Sequence, residues 1–251
     1  MTSKQATLTL YKKKGETPLE CLERFRKENP DYQNEKMTYV GRLDPLAEGL
    51  LLILVGEECK NKEKYLGLDK EYEVDIFFGF TTDTYDVLGK VTSVSDTDNF
   101  SIEKVRDVIQ SSVGKFTQKY PVFSSKTIRG VSLFSLFKKG ELNEDEIPTK
   151  DVEIKNIEVF GERTISKNDL EKNIQNSIAL VSGDFRQKEI LDIWENELGK
   201  SALQTFHIVS IKVSCTSGTY MRSLANTIGE KVGMPALALG IKRTKVGNYS
   251  L

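Results

Sequence analysis

The stretch GRLDPLAEGLLLILVGEECK, Gly41 to Lys60, carries the feature that most restricts the fold: the uninterrupted aliphatic run Leu50 to Val55, entered through an aspartate and a proline. This is the longest apolar run in the chain and falls far short of the roughly 20 residues a membrane helix requires, so its place is a strand of the core. Asp44 stands at the entrance to that core and has two readings. Ahead of Pro45 it serves as a turn residue or helix cap, with Arg42 as its surface partner. Alternatively it is a carboxylate nucleophile or base in a dry pocket. Desolvation raises an aspartate pKa unless a cation compensates, and Arg42 and Arg222 are the available cations. Tyr72 supplies either a stacking ring with a phenol or an ordinary core tyrosine.

A chain of 251 residues, 38% hydrophobic and 29% charged, buries a substantial core as one domain, or as a domain with a smaller lobe, beneath a well-solvated surface. Its N-terminus, MTSKQATLTLYKKKG, has no secretory apolar core, and the expectation is a cytoplasmic protein without a membrane span. Cys21, Cys59 and Cys215 are far apart with no C-x-x-C pair, and His207 is the only histidine, so neither a disulfide framework nor a metal site is expected. No glycine-rich phosphate loop or G-K-[ST] follows a strand, which argues against ATP or dinucleotide use. Lys and Arg total 36 against 37 Asp and Glu, a net charge of −1. The molecule as a whole therefore does not attract nucleic acid, and RNA binding would rest on local clusters. The candidates are Lys12-Lys13-Lys14, Lys126 with Arg129, and Lys242-Arg243 with Lys245.

Local patterns predict the elements. TPLECLERFRKENP reads as a helix with Thr17 as N-cap, Pro18 first, Glu20 closing a capping box, and Leu19, Leu22 and Phe25 on one face until Pro30. EYEVDIFFG alternates Tyr72, Val74, Ile76 and Phe78 with Glu73, Asp75 and Phe77, a half-buried strand. TTDTYDVLGKV is a polar turn feeding another strand at Gly89, and Ile102, Val105, Ile109 and Val113 have helical spacing closed by Gly114. Residues 114 to 140 mix aromatics, hydroxyls and cations without clean periodicity, as a long excursion folding over something else would. DVEIKNIEVF is a strand with a bulge at Lys155-Asn156. Residues 161 to 204 are polar and hard to place, although Ile190, Leu191, Trp194 and Leu198 suggest an amphipathic helix. HIVSIKVSC is a strand, and TYMRSLANTIGEKVG a helix ending at Gly233 that carries Arg222 in its first turn. Several strands with three interspersed helices predict an α+β fold with a mixed, largely antiparallel sheet flanked by helices and loops.

Five segments, in order and spacing, resemble the TruB-type tRNA pseudouridine-55 synthases: GRLDPLAEGLLLILVGEECK; KEYEV with TDTYDVLGKV; GKFTQKYPVFSSKTIRGVSLF; SGTYMRSLANTIGEKVG; and IKRTKVG. The match runs from about Leu8 to the C-terminus and is weakest over residues 161 to 204. The resemblance implies the pseudouridine synthase fold, with residues 1 to 251 as a single catalytic domain. Residues 114 to 140 would be its RNA-clasping insertion and residues 161 to 204 a variable segment, without the C-terminal PUA domain common in the family. It further implies that a uridine in the T-loop of tRNA becomes pseudouridine with no cofactor and no metal, and that the partner is the T-arm of tRNA, bound by a monomer. By the same resemblance the catalytic aspartate falls on Asp44, the base-stacking tyrosine on Tyr72, the arginine that pairs with the aspartate on Arg222, and the aliphatic lining of the uracil pocket on Ile241. Lys70 and Lys12 match lysines of the family's motifs. Arg42, Lys126, Arg129, Lys242 and Arg243 complete the expected RNA-binding set.

The chain departs from the family pattern G-x-T-G-T-L-D-P-L-A-T-G at Arg42 and Glu48, and the histidine often found ahead of the aspartate is absent. GRLD followed by GLLL is also similar to the RluA and RsuA synthases of ribosomal RNA, which leaves a different RNA substrate open. A non-catalytic tRNA-binding or folding module on the same fold is the other alternative, although a decayed site should have lost one of Asp44, Tyr72 and Arg222. A hydrolase using Asp44 and Glu48 as a carboxylate pair would need both on one helical face, which Pro45 and Gly49 oppose.

Overall fold

The aliphatic run is a central strand, with Leu50 to Leu54 fully buried. The computed structural model describes residues 5–251 and, of Glu144, the backbone alone, so the first four residues of the N-terminal stretch read above lie outside the described residues. The strands are β1 (Thr7–Lys12), β2 (Met37–Val40), β3 (Ala47–Val55), β4 (Lys70–Phe78), β5 (Phe80–Thr82), β6 (Val91–Val94), β7 (Gly114–Lys119), β8 (Thr127–Ile128), β9 (Val131–Ser132), β10 (Thr149–Ser166), β11 (Thr205–Cys215), β12 (Ala236–Val246) and β13 (Tyr249–Ser250). The α-helices are α1 (Pro18–Glu28), α2 (Lys62–Leu66), α3 (Ile102–Gln110), α4 (Leu133–Lys138), α5 (Lys167–Ala179), α6 (Gln187–Lys200) and α7 (Met221–Val232). The main sheet runs β1-β3-β12-β4-β11-β10-β7, with β2 also on β3 and β13 on β12. Among the strand pairings of the described residues, only that of β3 with β12 is parallel, and an isolated parallel bridge joins Asp86 to Ala238. The architecture is the expected α+β fold on a mixed, largely antiparallel sheet.

Alternation along β4 and β11 sends side chains to both faces, and both faces are covered. Helices α3 and α7 pack on one face against Val74, Ile76, Ile211 and Val213. On the other face α5 and α6 enclose Phe77, Phe80, Trp194 and Phe206. Phe77, expected among the outward positions of β4, is therefore fully buried. The reason is the segment that the sequence left unplaced. Residues 161 to 166 continue β10, and the two helices after them build a second layer that patterning on β4 alone could not foresee.

Other differences are local. The capping box of α1 is present, with Glu20 N donating to Thr17 Oγ1 at 3.2 Å and Thr17 N to Glu20 Oε2 at 2.6 Å, but Cys21 joins Leu22 inside while Leu19 is 57% exposed. Helix α3 stops at Gln110 because the hydroxyls of Ser111 and Ser112 both bond back to the Val108 carbonyl, and Gly114, at φ 113°, opens β7. The excursion thus begins as a sheet strand, β7 on the edge of β10, before β8, β9 and α4 leave the sheet. The expected bulge lies between Ile154 and Asn156, and a second irregularity lies between Val159 and Gly161.

One close approach places the site. β3 and β12 pair at Ala47 to Gly49 with Ile241 to Arg243, and a Cβ on Gly49, at φ 106°, would lie 2.3 Å from the Arg243 carbonyl oxygen. Only glycine admits that contact and that backbone.

Candidate active site

Asp44 sits in the turn that leads from β2 into β3, and the turn is closed by the Ala47 amide donating to the Asp44 carbonyl at 3.0 Å. Two buried cations brace it from beneath. Lys12 Nζ donates to the carbonyls of Pro45 (3.1 Å), Ala47 (2.5 Å) and Lys13 (3.2 Å). Arg243 donates from Nε to the Leu50 carbonyl (2.8 Å) and from its terminal nitrogens to those of Arg42 (3.3 Å) and Gly41 (3.4 Å). Each is at most 1% exposed. Lys12, expected to contact substrate, spends its three donors on carbonyls and does not line the cleft, whereas Arg243 lines it; both shape the turn that carries Asp44. Lys70 is held the same way by the carbonyls of Leu66 (2.9 Å) and Leu68 (2.5 Å). Burial pushes the ammonium groups of Lys12 and Lys70 each down to about 8.

Arg222, in the first turn of α7, is buried, and each of its nitrogens is engaged. Nε donates to Asp44 Oδ2 at 2.7 Å, Nη1 to the Thr84 carbonyl at 2.6 Å and Nη2 to the Phe123 carbonyl at 3.0 Å. Asp86 Oδ2 lies 3.7 Å from Nε. Burial alone would lower the Arg222 pKa, but Asp44 and Asp86 outweigh it and hold the guanidinium above its ordinary value. The Asp44 side chain itself is 38% exposed and opens into the cleft. Asp86 is buried, accepts from Thr84 Oγ1 (2.7 Å) and the Leu88 amide (2.9 Å), and burial pushes its carboxyl upward against the pull of Arg222.

Asp44, Tyr72, Arg222 and Ile241 line one cleft of about 1030 Å³, together with Arg42, Lys70 and Arg243. Burial raises the Tyr72 phenol, so at neutral pH it is a protonated hydrogen-bond donor beside the carboxylate. Tyr220, at the N-terminus of α7, is pushed up to about 12 by burial and by Asp44. The structure does not bring the other predicted cations to the cleft. Arg129 is exposed and pairs with Glu146 at 3.0 Å, Lys126 Nζ lies 5.1 Å above the Tyr120 ring, and Lys242 faces Glu73 at 3.9 Å. Glu48 belongs to strand β3 and interacts with Tyr11, so it shares no helical face with Asp44.

The sequence reading missed Asp86 and the two carbonyls that seat Arg222. TDTYDVLGKV held the signal for Asp86, a carboxylate between apolar Val87-Leu88 and a turn, but nothing in a linear pattern says which carbonyls an arginine from position 222 will meet.

The fold and this constellation define a class: a catalytic domain whose mixed sheet presents one open aspartate, seated on a buried arginine, to a broad cleft. Comparison with known proteins narrows it. Residues 30–185 match the model of the TruB family pseudouridylate synthase N-terminal domain, and the chain belongs to that family. It is 29% identical to tRNA pseudouridine synthase B of Ligilactobacillus salivarius over 97% of this chain and 68% of that protein, and 29% identical to its counterpart in Aquifex aeolicus over 97% and 69%. The synthase of Clostridium tetani is 32% identical over 86% of this chain and 60% of its own. The chain thus spans about two thirds of the length of these relatives. In fold it is similar to a chain in a crystal structure of a Cbf5-Nop10-Gar1 complex, with a TM-score of 0.59 and 18% identity over 97% of this chain and 49% of that one.

Proposed function

We propose that this protein isomerises a uridine of tRNA to pseudouridine, the T-loop uridine at position 55 being the substrate its motifs favour, with Asp44 as the reacting carboxylate. The observation that carries this is the Asp44 to Arg222 bond at 2.7 Å, made by a buried arginine to a carboxylate that still opens into the cleft. A merely structural ion pair would not need one partner sealed and the other open.

The reaction breaks the C1'–N1 glycosidic bond, turns the uracil, joins C5 to C1', and moves the C5 proton away while N1 gains one. Nothing is oxidised. Whether the carboxylate attacks C1' or removes a proton from the sugar, its oxygen must reach the ribose while Arg222 fixes its direction. The Tyr72 ring offers a stacking face for the extruded base, and its phenol, kept protonated by burial, can donate to a base oxygen. Ile241 supplies an apolar wall, and the enclosure keeps water from the detached sugar. Extruding the base from a folded loop costs a few kcal/mol, offset by stacking and by phosphate contacts with exposed cations such as Arg42. One domain acting as a monomer is sufficient for this scheme.

Unmodified tRNA carrying tritium at uridine C5 tests the reading, since each isomerisation releases the label. The expected result is release by the wild type and none by Asp44→Asn, which removes charge at nearly constant volume and keeps tRNA binding. Full activity in that variant excludes Asp44 from the mechanism, and absence of release with wild-type enzyme in excess excludes the reaction.

A further inference from the structure

The connection between α5 and α6 reaches the cleft wall. Arg186, just ahead of α6, holds a left-handed backbone at φ 63°, strain that a non-glycine residue retains only where its surroundings enforce it. Its guanidinium donates from Nη1 to Asp83 Oδ2 at 2.7 Å and from Nη2 to Asp83 Oδ1 at 3.3 Å, and its carbon centre lies 4.5 Å above the Phe123 ring. The turn behind it is braced. The Gln187 side chain donates to the carbonyls of Val181 (3.1 Å) and Gly183 (2.7 Å) and accepts from the Phe185 amide (2.9 Å). Asp83 is fixed in turn, its Oδ1 accepting from the Lys90 amide at 2.9 Å.

These contacts fall on the two segments that seat Arg222. Thr84, whose carbonyl accepts from Arg222 Nη1, follows Asp83 directly, and Phe123, whose carbonyl accepts from Nη2, is the residue whose ring Arg186 covers. One arginine thus grips from within what the other grips from the cleft rim. We propose that Arg186 is a positioning residue, a latch that holds the segment 83–86 and Phe123 together and so fixes Arg222 and, through it, Asp44. The two terminal nitrogens of Arg186 grip one carboxylate, which offsets the charge a phosphate would need, and the side chain is only 21% exposed. The activity arm of the test rests on the pseudouridine synthase reading, whereas the latch itself is a property of the fold.

Arg186→Ala, Arg186→Lys and Asp83→Asn test it by two independent readouts. In RNA-free protein, amide hydrogen exchange in Arg186→Ala is expected to rise about tenfold in segments 83–88 and 121–126 together, with the strands β4 and β11 unchanged. With tRNA, kcat is expected to fall about 10- to 100-fold while KM stays within about threefold, Asp83→Asn to follow the same pattern, and Arg186→Lys, which keeps the ion pair but not the planar stack, to recover part of kcat. The proposal is overturned if exchange rises in neither segment or in one alone, if the strands loosen equally, or if KM rises with kcat retained. Should the wild type form no pseudouridine, it is the functional reading that fails, and the exchange data still decide the latch.

Discussion

Arg222 spends its donors on three different chain segments, and that makes it unlike a surface arginine with a single partner. A lysine at 222 offers one compact charge in place of a planar fork and cannot serve Asp44, Thr84 and Phe123 at once. Arg222→Lys is expected to lower kcat by about 100-fold, and leaving buried carbonyls unpaired costs stability of about 1–3 kcal/mol; single-turnover kinetics and chemical denaturation check the two effects. Lys70 gives a prediction in pH. Its folded pKa is about 8, below its ordinary 10.5. Between those values the unfolded chain keeps a proton that the folded chain has shed, so this group's contribution to stability rises with pH across that window, while below about pH 8 the full cost of burying the charge stands. The unfolding free energy of the wild type minus that of Lys70→Met is therefore expected to grow from pH 8 towards 10.5, and denaturant titrations at several pH values measure it.

Among the elements, the short parallel contact between β3 and β12 carries a disproportionate share of the site. It aligns Ala47 to Gly49 with Ile241 to Arg243, so the turn bearing Asp44 and the strand bearing Ile241 are fixed by the same few residues. Gly49→Ala forces a Cβ to within 2.3 Å of a backbone oxygen at a φ of 106°, and neither atom belongs to a side chain that can move aside. The expected cost is about 1–3 kcal/mol from backbone strain alone, with a loss of kcat beyond what the fall in stability explains, since the displaced element is the one that presents Asp44. Thermal unfolding and pseudouridine formation measured below the transition separate the two. The α5 and α6 layer works differently: it buries Trp194 against Phe80 and Phe206 and, at its connecting turn, reaches the cleft.

At the scale of the whole molecule, a net charge of −1 sets how an anionic substrate can be bound. Attraction must come from cations at the cleft, where Arg42, Lys90 and Lys138 stand among the lining residues, although Lys90 is paired with Glu189 and Lys138 with Asp184. Phosphate contacts release counterions, so KM for tRNA is expected to rise with salt along a log–log line, while kcat, set by Asp44 on its buried Arg222, stays nearly flat. Steady-state kinetics between low and moderate ionic strength check both slopes. No helix among the described residues is long and apolar enough to cross a membrane, in keeping with the short aliphatic run of β3.

What the sequence determined by itself is what depends on near neighbours. The capping box Thr17 to Glu20, the alternation of β11, the bulge at Lys155-Asn156, the stop of α7 at Gly233 and the candidacy of Asp44, Tyr72 and Arg222 all follow from spacing, residue type and motif, because helix caps, strand phase and glycine backbone are short-range physics. What only the tertiary structure decided is which groups meet across the chain. Lys12 and Arg243 look like RNA-binding cations in a linear reading, and folding buries them on carbonyls. Asp86 enters the site because the segment 83–86 is carried to α7, and Phe77 is buried because residues 161 to 200 fold back over β4. Each of these is a contact between residues tens to hundreds of positions apart, fixed by sheet order and layer packing, to which local pattern is blind.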